Sequence, residues 1–191
     1  GAIREVEEVL EEDPANTGAL RALYQLYAAK QDWAGADTAA DRLQQADPEN
    51  ALGYYLEGLA AQASQDLEGS VASFEQALQR SPDAVQPLSS MVRSQLAMQK
   101  GEEAKQTLRQ VLDENPDNAI AWNLLGELEL IEGNNDEAIA AFREGIAANG
   151  AVPVLHRNLG GALVQAGRRD EGIAALKAGL AATDDSPMLL T

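Results

Sequence analysis

Four prolines, Pro14, Pro48, Pro82 and Pro116, recur at intervals of 34 residues, and a chain with that regularity is built by repeating one structural unit. Each follows Asp13, Asp47, Ser81 or Asn115, a dipeptide type that favours turns. Gly150 and Asp184 hold the same place further on without proline. Pro153 and Pro187, again 34 apart, stand where they would open helices, at a position where a missing N–H costs little. Two residues after the first four prolines come Asn16, Asn50, Ala84 and Asn118, so three of the four turns end on a side chain able to cap the next helix.

Between turns the pattern predicts two helical stretches of about 13 residues, joined by short connectors such as Glu132-Gly133-Asn134-Asn135 and Ala166-Gly167-Arg168-Arg169. Helices this short are marginal alone in water and must gain stability by stacking. With Thr17 as the first position the units are 17–50, 51–84, 85–118, 119–152 and 153–186, preceded by residues 1–16 as the second helix of a truncated repeat and followed by 187–191 as the start of another. Both ends are therefore expected to lie inside a longer array.

The units align without gaps. Second helices carry small residues at Ala36, Ser70, Ala104, Ala138 and Gly172, where bulk would hold two helices apart, and a packing residue four later at Ala40, Phe74, Leu108, Phe142 and Leu176. First helices supply Leu20, Tyr54, Leu88, Trp122 and His156, then Gly58, Val92, Gly126 and Gly160, with Tyr24 breaking the rule of a small or apolar residue. Aromatics make up only 4% of the chain against 45% hydrophobic residues, so the core must be built mainly from aliphatic side chains between close helices.

On these residues the chain resembles the tetratricopeptide repeat family, most clearly at Trp122, Leu125, Gly126, Ala138 and Phe142 within 119–152. Glu129, Gly145 and Gly150 depart from the family pattern, standing where it has an aromatic residue, alanine and proline. The resemblance implies an all-α fold, a right-handed superhelical solenoid of helix-turn-helix repeats. It also implies a non-catalytic scaffold or adaptor that binds a protein or peptide partner on the concave face.

By that resemblance the inner face is read from positions 2, 5, 9 and 12 of each unit, whose spacings share one side of a helix. The groove candidates are Arg21, Gln25, Leu52, Tyr55, Leu59, Gln62, Ser89, Arg93, Leu96, Asn123, Glu127, Leu130 and Arg157. Leu52, Tyr55 and Leu59 make an apolar stripe flanked by Arg21 and Arg93, a combination suited to a peptide with apolar anchors and a carboxylate. The same leucines also suit packing between neighbouring first helices. A subset of the family clamps a C-terminal carboxylate with Lys and Asn, but Leu56, Gln86 and Ser90 occupy the places of those groups, so that clamp is expected to be absent.

A net charge of -17 argues against nucleic acid, which is gripped by clustered cations. The single histidine, His156, falls in the core column and reads as a packing residue, and with no cysteine no histidine- or thiolate-based metal site is expected. No cofactor, catalytic residue or membrane insertion is expected, and the compartment is left open between cytoplasm and periplasm. Two further readings stand beside the scaffold. One is a structural spacer that contacts neighbours, or copies of itself, through its uncapped ends. The other is an accessory segment of a larger bacterial secretion or exopolysaccharide-export protein.

Overall fold

The computed structural model describes residues 1–184, so Pro187 and the expected start of a further repeat lie outside the described residues. Every regular element among them is a helix, and there are eleven: α1 (Ala2–Glu12), α2 (Thr17–Ala29), α3 (Trp33–Ala46), α4 (Ala51–Ala63), α5 (Leu67–Arg80), α6 (Val85–Ala97), α7 (Gly101–Glu114), α8 (Ala119–Glu132), α9 (Asn135–Ala148), α10 (Pro153–Gln165) and α11 (Arg169–Asp184). They form two compact units, Gly1–Lys100 and Gly101 onward.

The proline turns follow one geometry. The N–H groups of Asn16, Asn50, Ala84, Asn118 and Val152 donate to the carbonyls of Asp13, Asp47, Ser81, Asn115 and Asn149, closing a turn with proline at its second residue in four of the five. Asn16, Asn50 and Asn118 then cap α2, α4 and α8 by accepting from Ala19, Leu52 and Ala121, while Ala84 provides no side-chain cap to α6. Asp32 and Asp66 cap α3 and α5 in the same way, through Gly35 and Gly69.

The connectors inside the repeats are tighter than the sequence suggested. Helix α8 runs through Glu132 and α9 opens at Asn135, leaving only Gly133 and Asn134 between them. One left-handed residue makes this reversal possible, and it recurs every 34 positions: Gln31 (φ 59°), Gln65 (φ 70°), Gln99 (φ 62°), Gly133 (φ 85°) and Gly167 (φ 79°). At the first three a glutamine accepts a conformation that glycine adopts without steric cost.

In the first unit the core gathers Leu10, Leu20, Leu23, Tyr24, Ala36, Ala39, Ala40, Leu43, Leu56 and Ala60. In the second it gathers Ala138, Ile139, Phe142, Leu155, Leu159, Ala162 and Leu163. Helix pairs approach closely wherever glycine faces an aromatic ring, Gly58 under Phe74 and Gly126 under Phe142, with both rings fully buried. Tyr24 reverses the arrangement, being the large residue on the first helix while the corresponding second-helix position, Ala40, is small. Both are buried in one core cluster, so the volume is kept. Leu176 departs from its column: it packs on Gly160 but stays 41% exposed, because among the described residues α11 is backed by α10 alone.

The residues at the column of Tyr54, Trp122 and His156 share a second task. Tyr54 Oη donates to the Pro48 carbonyl at 3.3 Å, Trp122 Nε1 to that of Pro116 at 2.8 Å, and His156 Nε2 to that of Gly150 at 2.9 Å. A carbonyl only accepts, so His156 carries its proton on Nε2 and serves the turn, as a buried imidazole with a partner does. Arg80 reinforces the first of these turns by stacking 3.7 Å from the Tyr54 ring centre and donating to the same Pro48 carbonyl.

Candidate functional site

In the first unit α2 presents Arg21 and Gln25 to solvent, one turn apart. No hydrogen bond or ion pair holds either side chain. Beside them Thr17, Gly18, Ala22, Leu43, Asn50 and Leu52 complete an open hollow of about 410 Å³. Gly18 leaves room in it that a larger residue would fill, and the Arg21 guanidinium reaches it with no carboxylate to neutralise it. An unpaired guanidinium beside a leucine wall can accept a carboxylate bidentately while apolar groups rest on the wall.

The stripe on α4 is half embedded. Leu52, Tyr55 and Leu59 pack against the core of the first unit, and the Tyr55 ring meets Phe74 at 5.9 Å between centroids, tilted by 42°. These residues therefore form a floor and expose only part of their surface. Gln62 is committed more fully: its amide donates to Ser94 Oγ at 2.7 Å and to the Ser90 carbonyl at 3.3 Å, and its Oε1 accepts from Arg93 at 3.2 Å. Arg93 also donates to Ser90 Oγ at 3.1 Å, yet its side chain remains exposed. Ser94 and Ser70 Oγ lie 2.7 Å apart below them, fully buried. Ser89 and Leu96 are half-buried on α6.

In the second unit the candidates separate. Asn123 is 7% exposed and donates to Glu127, while Asn158 donates to both Asn123 and Glu127, each at 2.9 Å. This ladder binds α8 to α10 and leaves Asn123 unavailable to a partner, since it is buried and its amide is used. Glu127 and Leu130 are half-buried and Arg157 is exposed. Spacing alone placed Asn123 on the inner face; the polar side chain there is spent on its neighbour, α10.

Sequence reading missed a cluster of charges. Lys105, with its side chain 5% exposed, contacts Glu132 at 2.6 Å, Glu102 at 2.7 Å and Glu129 at 3.7 Å, and Arg109 reaches Glu129 at 3.6 Å. Hydrogen bonds from Lys105 hold its ammonium well above the usual lysine range and pull the Glu102 carboxyl down. A signal for it existed. Lys105 occupies the column of Val71, Ile139 and Ile173, and Glu129 the column of Leu163, so two apolar positions became charged together. In the same column as Lys105, Asp37 has its carboxyl raised by burial and then by Asp41, Glu57 and Asp66. Burial, with Tyr55 and Asp37 nearby, pushes the Tyr24 hydroxyl up to about 12. No group of His, Cys, Asp or Glu among the described residues could hold a metal ion, and no described helix is long and apolar enough to cross a membrane.

Three models of the tetratricopeptide repeat match the chain, over residues 51–84, 90–153 and 129–190. No curated protein matches it. Solved structures with similar folds include MamA, with a TM-score of 0.62 and 19% identity, covering 92% of this chain and 96% of that one. MamA from Desulfovibrio magneticus RS-1 gives 0.61 and 16%, covering 90% and 97%. YrrB, described as a tetratricopeptide protein with an unusual peptide-binding site, gives 0.55 and 17%, covering 94% and 93%. At such identities the likeness shows the fold alone.

Proposed function

Because the chain belongs to the tetratricopeptide repeat family, we propose that it is a non-catalytic scaffold that holds a peptide segment of a partner protein on the α2 and α4 face of its first unit. The observation that carries this reading is the hollow in which Arg21, Gln25 and Leu52 come together, with the arginine unpaired. Its partner would bring a carboxylate to Arg21 and an aliphatic side chain to Leu52, and its backbone amides would meet Gln25 and Asn50. Tyr55 and Leu59 extend the wall along α4, with Gln62, Ser89, Arg93 and Leu96 continuing the polar and apolar alternation. The peptide site in the description of YrrB is in keeping with this use of the fold.

A displayed library of random peptides, panned against the whole chain, tests the proposal. Peptides enriched on the wild type should carry an acidic residue or free carboxylate, and should be lost on Arg21→Glu and on Leu52→Asp. Equal enrichment on a folded Arg21→Glu protein would remove the hollow from consideration and favour a spacer that works through other surfaces.

A further inference from the structure

The second unit contains a larger hollow with a different character. About 670 Å³ in volume, it is lined by Pro153, Val154, His156 and Arg157 of α10 and by Leu176, Gly179 and Leu180 of α11. Its wall is apolar, with Leu180 67% and Leu176 41% exposed, and Ile173 on the next turn is 41% exposed as well. One formal charge lines it, the exposed Arg157 guanidinium, which meets no carboxylate among the described residues. Lys177, also exposed and unpaired, adjoins Leu176 on α11.

The structure itself shows what fills such a place. Thirty-four residues earlier, Gly145 corresponds to Gly179, and the side chain of Leu155 from a packed helix lies where a β-carbon on Gly145 would be. The seat formed by a second-helix glycine and its apolar neighbours thus receives an aliphatic side chain from a helix.

Helix α1 of the same chain offers a matching surface. Ala2, Glu5, Val9 and Glu12, spaced three, four and three, share its exposed side, and Val9 is 46% exposed. The helix carries five glutamates against the single Arg4, and neither Glu5 nor Glu12 has an ion-pair partner. A chain of net charge -17 repels its own copies, so a contact between copies requires a local reversal of sign. Arg157 and Lys177 beside an apolar hollow provide one half of that reversal and the Glu5, Val9 and Glu12 face the other. Two hollows placed face to face would instead set Arg157 against Arg157.

We propose that the hollow between α10 and α11 receives helix α1 of a second copy of this chain, with Val9 on Leu176 and Leu180 and with Glu5 and Glu12 about Arg157. The contact is heterologous: each copy offers a different surface at each of its two contacts, so association continues beyond a pair. It uses surfaces distinct from the Arg21 hollow and stands or falls without it.

Sedimentation equilibrium of the full chain tests the contact. The wild type should show a mass that rises with concentration past the dimer, and Val9→Glu, Leu180→Glu and Arg157→Glu should each weaken association at least about tenfold with helicity unchanged. A mixture of the Val9→Glu and Leu180→Glu proteins should give a dimer and nothing larger, because one intact α1 face and one intact hollow remain. Adding Glu5→Arg and Glu12→Arg to Arg157→Glu should restore association, a readout that a folding defect cannot mimic. A wild type that stays monomeric throughout, association unaffected by Val9→Glu, or a dimer that forms through paired hollows would overturn the proposal.

Discussion

The Phe142 ring occupies the space that a side chain on Gly126 would need, its Cε1 2.5 Å from where that β-carbon would sit. Phe74 stands in the same relation to Gly58, also at 2.5 Å. Alanine at Gly126 would gain about 1 kcal/mol in helix propensity, but it meets a ring that is fully buried and has no room to shift. Overpacking of that kind costs about 1 to 3 kcal/mol, and the close contact puts it at the upper end. Gly126→Ala should therefore lower stability by about 2 kcal/mol in chemical denaturation. Phe142→Leu in the same chain should return part of the loss, giving a double-mutant cycle with a favourable coupling. Gly160→Ala should cost less, since the side chain facing it is Leu176, part-exposed and able to swing away.

Lys105 gives a second test of what holds the second unit together. Lys105→Met removes the cation and leaves Glu129 buried against a thioether, with Arg109 at 3.6 Å and Asn134 at 2.8 Å as its remaining partners. A buried pair broken on one side costs about 3 kcal/mol, and a deficit of that order is expected at pH 7. The pH response has a definite sign. The lysine's folded pKa is raised, so its contribution is fully present below the unfolded lysine value and is lost only in strong alkali. The Glu102 carboxyl is lowered, so its share is present at neutral pH and is lost as pH falls through the folded value. Acidification should accordingly narrow the gap between wild type and Lys105→Met, as the carboxylates left without a cation become neutral. A gap that widens towards acid would show that the cluster does not act through charge.

The left-handed connector residues make a paired prediction. Gln65→Gly removes a side chain from a backbone at φ 70°, while the gain is offset in part by the greater freedom of glycine in the unfolded chain. The net effect should be a rise of up to about 1 kcal/mol. Gly133→Gln runs the exchange backwards at φ 85° and should lose about 1 kcal/mol. If both substitutions move the thermal midpoint in the same direction, backbone strain is not the governing term.

The period was legible because turn chemistry recurs in the sequence itself: Asn16, Asn50 and Asn118 announce their caps, and the prolines announce their turns. The glutamine connectors were not legible one at a time, since Gln31, Gln65 and Gln99 resemble any polar residue until set in register with Gly133 and Gly167. Burial on the inner face was harder still. Periodicity puts Asn123 and Arg21 at equivalent positions, but the first is buried in a ladder with Asn158 and the second projects into solvent. That difference depends on which polar partner a neighbouring helix brings, Asn158 on α10, and a helical wheel of one element does not contain it. The Lys105 cluster has the same origin, since compensating charges at two apolar columns show only once α7 and α8 are packed together.

The last expectation separates residues that touch a ligand from residues that build the surface beneath it. Gln62 sits among the groove candidates, yet its amide is bonded to Ser94 Oγ and the Ser90 carbonyl, with the buried Ser70 and Ser94 hydroxyls stacked below. Gln62→Leu leaves Ser94 short of a donor, and a buried hydroxyl deprived of a partner costs about 1 to 3 kcal/mol. Arg21 has nothing to lose in the unliganded protein, because no hydrogen bond or ion pair holds it. Arg21→Ala should leave the denaturation midpoint within about 0.5 kcal/mol of wild type, as exposed substitutions do. Binding of a peptide selected on the wild-type chain should respond in the opposite order. Arg21→Ala should weaken it by tenfold or more, the loss expected when a carboxylate forfeits its charge-assisted partner. Folded Gln62→Leu protein should bind within a few fold of wild type. If calorimetry shows Gln62→Leu as damaging to binding as Arg21→Ala, the peptide runs over α4 and α6 instead, and Arg93 becomes the cation that anchors it.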